Sequence, residues 1–129
     1  MNENFFRSSL VISSEILSSA ELLRIFGAAK VMEKGSPMSS APGSQRRSAA
    51  VWKRTSALPE TSSPAEHATE FIRFLQAKYV EIESIRDQVQ IDMWFMVSHE
   101  KDQCGFSFES DCLCSLSKWG VNLVFDLYR

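Results

Sequence analysis

Apolar and polar residues change their spacing along this chain, and each change marks an element. Phe5 to Ser13 ends in Leu10-Val11-Ile12 between polar residues and reads as a buried or half-buried strand. Ser18-Ser19-Ala20-Glu21 is a capping box: the Ser18 hydroxyl can accept from the Glu21 amide while the Glu21 carboxylate reaches back. The short helix it opens runs to Phe26 with Leu22 and Phe26 on one face, and Gly27 supplies the left-handed residue that stops it. From Ala28 to Ser48 periodicity dissolves into Ser, Gly and Pro, which predicts a long exposed loop, flexible over 33–48, with a brief edge strand near Val31. Ala49 to Ser56 then reads as a strand centred on Trp52.

Ser63-Pro64-Ala65-Glu66 combines an N-cap serine, a proline at the first helical position and a glutamate that completes a second box. Apolar residues follow at Ala68, Phe71, Ile72, Leu75, Tyr79, Ile82 and Ile85, a stripe that predicts one long helix of about six turns. Val89, Ile91, Met93, Phe95 and Val97 alternate with polar or outward positions, the period of a strand with one buried face. His99 to Gln103 is a polar turn, and Gly105 to Phe108 a second short strand. Ser110 caps a helix that ends at Gly120, and Val121, Leu123, Phe125 and Leu127 build a last strand. The expected fold is α+β over 1–129 as one domain. It is a mixed, largely antiparallel β-sheet with one long helix and two short helices, in the order β-α-β-α-β-β-α-β.

Composition narrows the class. The 129 residues are 44% hydrophobic and 23% charged with a net charge of −2, which excludes a disordered chain and a strongly basic nucleic-acid binder. The total conceals a split: through Glu60 there are eight Lys/Arg against five Glu, and from Thr61 onward six against eleven acidic residues. No run approaches the roughly 18 apolar residues of a membrane span, and the acidic start Met1-Asn2-Glu3 differs from a secretory signal. Three cysteines cannot all pair with one another, which fits free thiols in the cytoplasm.

Candidate chemistry is sparse. On a helix, Cys112 and Cys114 point about 200° apart, so they cannot clasp one metal ion, and no metal or cofactor is expected. The chain has no Gly-rich phosphate loop and no nucleophile elbow. His67, in the first turn of the long helix, reads as a neutral hydrogen-bonding residue, its pKa lowered by the helix dipole. Arg46, Arg47, Lys53 and Arg54 surround Trp52, but alternation puts Trp52 and Arg54 on one face and Lys53 on the other, so nucleic acid is not the expected partner. Glu100, Asp102, Glu109 and Asp111 bracket the turn and the start of the last helix, and together they would form a compact negative patch suited to a basic partner.

Leu10-Val11-Ile12-Ser13, the helix ending Leu22-Leu23 to Phe26-Gly27, Val51-Trp52, Glu66-His67 with Phe71 and Leu75, and the ending Leu116 to Tyr128 with its Trp119-Gly120-Val121-Asn122 core resemble the bacterial domain of unknown function family DUF4279 over nearly the whole chain. Gly27, Trp52, His67 and Gly120 match recurring positions of that family, and no role comes with them. The stretch Met38 to Ser48 follows no pattern of it. The resemblance implies a small bacterial protein without an established activity, and some members are associated with polymorphic-toxin loci in the manner of immunity proteins.

The expected function is therefore a non-catalytic cytosolic immunity protein. It would bind a cognate toxin domain, a nuclease or another secreted effector, through Glu100, Asp102, Glu109 and Asp111, and mask its active site. The alternative is a small-ligand-binding or enzymatic domain with a pocket near Trp52 and His67, between the sheet and the long helix. An exposed strand edge would allow a homodimer.

Overall fold

The computed structural model describes residues 4–98 and 105–128. Its strands are β1 (Phe5–Ser14), β2 (Lys30–Met32), β3 (Ala50–Thr55), β4 (Gln90–Ser98) and β5 (Asn122–Tyr128), and its helices are α1 (Ser19–Phe26), α2 (Pro64–Ala77), α3 (Tyr79–Ile85) and α4 (Ser110–Trp119). The strands form one sheet in the order β2-β3-β1-β4-β5. All neighbours are antiparallel except β4 and β5, which run parallel and are joined by the α4 crossover. Among the described residues no helix is long and apolar enough to cross a membrane.

Register explains the alternation. Residues paired across strands share a face, so Trp52, Ile12 and Ile91 form one inward row and Leu10 and Met93 the next. The helices cover this face. Phe6, Leu10, Ile12, Ala50, Trp52, Met93, Phe95 and Val97 are buried beneath Leu22 and Phe26 of α1, Phe71, Ile72 and Leu75 of α2, Ile82 of α3 and Trp119 of α4. Each large apolar side chain so buried contributes roughly 1.5–3 kcal/mol. The opposite face carries Arg7, Val11, Trp94 and Met96, with Trp94 40% exposed. Asp92 is buried among them because Gln90 and Asn122 donate to its carboxylate, which also ties β4 to the start of β5.

Both capping boxes form as predicted, Ser18 with Glu21 and Ser63 with Glu66. Gly27 stops α1 at φ +99 and Gly120 stops α4 in the left-handed region, positions that favour a residue without Cβ. At α4 the cap lies one residue earlier than expected, at Glu109, with Ser110 already inside the helix.

Three expectations are corrected. The predicted long helix is two, because the chain resets at Lys78 (φ −107, ψ 19) before α3 begins. The reset follows Gln76 and Ala77, both exposed, and it preserves the three- and four-residue apolar spacing, so periodicity cannot report it. Beyond the break Ile82 is buried whereas Tyr79 is 55% exposed.

The predicted strand at Gly105–Phe108 is irregular. β4 is already paired on both edges, by β1 and by β5, and has no place for another strand. Phe106 and Phe108 instead pack their rings on Phe125. The element order changes accordingly: the brief strand near Val31 is β2, no strand stands between β4 and α4 among the described residues, and β5 pairs parallel to β4, which makes the sheet mixed as expected.

The 33–48 stretch is mostly exposed, yet it folds back on itself. Met38 and Gln45, and Gly35, Ser36 and Arg47, exchange backbone hydrogen bonds around a Pro37–Arg46 bridge.

Candidate functional site

Where α2 and α4 begin, the fold leaves a cleft of about 1020 Å³. α2 supplies Ser63, Glu66 and Thr69, α4 with its cap supplies Glu109, Asp111 and Cys112, and Phe6, Ile72 and Phe106 provide apolar wall. Two of the four acidic residues picked out by sequence, Glu109 and Asp111, therefore meet in one place. Glu100 and Asp102 lie outside the described residues, as do His99 and Cys104.

Glu66 joins them, and sequence reasoning passed over it because its capping role already accounted for it. Its Oε1 accepts from the Ser63 backbone N–H at 3.0 Å, and this bond, with that of the Ser63 side chain, holds its carboxyl below the usual range. Two helix N-termini contribute about half a positive charge each at this spot. Three carboxylates outweigh them, so the cleft is net negative. The Cys112 thiol at its edge has a pKa raised by burial, with the Glu109 charge adding to the effect, and stays protonated.

Trp52 of β3 and His67 of α2 are both buried, and neither lines this cleft. Trp52 lies between Phe26 (5.7 Å between centroids) and Phe74 (5.5 Å, stacked), and its indole N–H donates to the Gly27 carbonyl at 2.9 Å. His67 Nδ1 is 2.6 Å from Ser56 Oγ, which also accepts from the Leu58 N–H. The ring thus ties the start of α2 to the end of β3.

The basic cluster is divided as alternation requires. Arg54 pairs with Glu70 and lies over the Phe74 ring at 4.7 Å, whereas Lys53 is opposite Lys30 and Val11 on the other face. A second cleft of about 560 Å³ opens beside Phe5, Arg7, Glu60, Met96, Ser98 and Tyr128. Among the described residues no group of three His, Cys, Asp or Glu is placed to hold a metal ion, and Cys112 and Cys114 are free thiols, half-buried and exposed respectively.

The family model described as Domain of unknown function (DUF4279) matches residues 4–129. The chain belongs to the DUF4279 family. No curated protein and no solved structure matches it. In this DUF4279 domain Gly27 ends α1 and its carbonyl accepts from the Trp52 indole N–H, and Gly120 ends α4.

His67 makes the stability of the domain depend on pH. Burial is the main cause that lowers its pKa from 6.5, against the opposing pull of Glu66 and Glu70. The sequence pointed to the helix dipole; the leading cause in the fold is burial of the ring. Above 6.5 the ring is neutral in both folded and unfolded chains. As the pH falls below that value the unfolded chain takes up a proton that the folded one refuses, so stability declines towards acid. Urea midpoints measured from about pH 8 down to about pH 5 should fall for the wild type and fall less for His67→Gln. Equal slopes for the two proteins would assign the acid sensitivity elsewhere.

Proposed function

We propose that this domain is a non-catalytic, immunity-type binding protein of the cytoplasm, which neutralises a toxin domain by presenting an acidic surface to a basic region at its active site. The observation that carries the reading is the convergence of Glu66, Glu109 and Asp111 at the starts of two helices, beside the apolar wall of Phe6, Ile72 and Phe106. Charge of one sign around a concave apolar floor steers a basic partner in and then offers an anchor site to a lysine, arginine or aromatic side chain. A nuclease fits, because its own cleft must be basic to hold phosphates. The sequence adds Glu100 and Asp102 to the same acidic set.

The test is association kinetics with any toxin domain that a neighbouring gene is found to encode. Reversing Glu109 and Asp111 to lysine should slow association by about tenfold at low ionic strength, and the difference should shrink as salt is added. An on-rate unchanged by the reversal at low salt would remove the mechanism. The volume of the cleft favours a second reading, a small cationic ligand held in the same place, since ligand sites run to roughly 300–1,000 Å³. Thr69→Trp, which fills the cleft without altering charge, should abolish small-ligand binding and leave the long-range steering of a protein partner intact.

A further inference from the structure

β5 forms one edge of the sheet, and its outward-facing groups are unusually open to pairing. At the other edge β2 is three residues long and carries Lys30, the kind of short, charged strand that discourages pairing. β5 is seven residues long, with no proline and no lysine, and Asp126 is its one charge. Among the described residues no backbone hydrogen bond reaches it apart from those of the β4 ladder. Leu127 is 65% exposed and Phe125 38%.

The order of its residues selects the occupant. Leu123, Phe125 and Leu127 are in register with Met93, Phe95 and Val97, so they lie on the helix-covered face of the sheet. These three are disposed symmetrically about Phe125. We propose that β5 pairs antiparallel with β5 of a second copy about a two-fold axis at Phe125, giving a continuous ten-stranded sheet. That register sets Leu123 opposite the partner copy's Leu127, and Phe125 opposite its own equivalent, so the whole apolar row is self-complementary. On the other face Val124 lies opposite Asp126, whose carboxylate already accepts from the Tyr128 hydroxyl at 2.7 Å. The exposed edge of the Phe106, Phe108 and Phe125 ring cluster would be covered by the same pairing. A shift of the axis by one residue keeps the faces but loses the match: centred on Asp126 it sets two carboxylates opposite each other, and centred on Val124 it leaves Leu127 opposite Val121, beyond the strand.

Sedimentation of the intact chain should give a mass twice 14.6 kDa at about 100 μM, dissociating on dilution because strand-edge interfaces are small. Leu127→Lys places on the edge the charge that β2 already carries, and should yield a monomer whose thermal melt at low concentration matches the wild type. Register is read with a short bis-maleimide in a background where the three native cysteines are serine. Phe125→Cys should cross-link to itself, and Thr55→Cys, on the far side of the sheet, should not. A monomer at the highest concentration, a dimer that survives Leu127→Lys, or a Phe125→Cys protein that does not cross-link would each overturn the proposal. A monomer alone that captures the toxin domain through β5 would reassign the edge to that partner.

Discussion

Replacing Trp52 by alanine is expected to leave little folded protein under ordinary conditions. The indole is fully buried, with Phe26 on one side and the Phe74 ring stacked on the other, and it bridges β3 to the end of α1. Removing a ring of this size from a packed core costs about 3–5 kcal/mol. The substitution also takes the N–H donor from the Gly27 carbonyl, at a further cost of about 1 kcal/mol or more. Set against a total stability of roughly 5–15 kcal/mol, the loss approaches the whole of it. Trp52→Phe separates the two contributions, because it keeps a ring between Phe26 and Phe74 and gives up only the hydrogen bond and some volume. Urea unfolding followed by near-ultraviolet circular dichroism should place Trp52→Phe between wild type and Trp52→Ala. An alanine variant less than about 1 kcal/mol below wild type would mean that the stack does not hold α1 to the sheet.

The second large effect is expected at Arg54. Its guanidinium pairs with Glu70 while lying over Phe74, so it caps the same aromatic stack from the outside. The pair is mostly withdrawn from solvent, and Glu70 Oε2 is buried with no partner among the described residues. Arg54→Ala leaves that carboxylate uncompensated and should cost about 2–3 kcal/mol, somewhat less than for a fully buried pair because water still reaches part of it. Arg54→Met combined with Glu70→Leu removes both charges and keeps the volume, and should recover most of the loss. A double variant as unstable as the single one would show that packing on Phe74, rather than the stranded charge, dominates.

What the residues disclosed in advance follows the range of the interactions. The starts of α1 and α2 were legible because a capping box is complete within four residues, and β1, β3 and β4 because alternation reports a buried face directly. The break at Lys78 was hidden, since one residue out of helical register leaves Phe71, Leu75 and Ile82 on the same apparent stripe. Phe106 and Phe108 have the spacing of a strand, and only the occupation of both β4 edges turns that segment into an irregular one. Similarly, nothing local distinguishes an antiparallel β5 from a parallel one.

At the candidate site, Glu109 and Asp111 were visible as acidic residues at a helix start. Their meeting with Glu66 depends on how α2 and α4 pack, which no short window contains. Trp52 and His67 were read from sequence as possible walls of a pocket, and neither lines the cleft at the starts of α2 and α4. Their partners, the Gly27 carbonyl and the Ser56 hydroxyl, are what identify them as ties within the fold rather than the walls of a pocket.

The central place of β1 in the sheet has a consequence for how the chain comes into being. β1 is the first strand of this domain to be synthesised, and its two neighbours lie at Ala50–Thr55 and Gln90–Ser98. At translation rates of about 5–20 residues per second, on the order of ten seconds pass between the emergence of β1 and that of β4. Throughout that interval the Leu10-Val11-Ile12 segment has at least one unpaired edge and no complete core to enter. The sheet therefore cannot be completed around β1 until Gln90–Ser98 has emerged. The partners of β1 lie far from it in sequence, and pairing of such high contact order slows folding.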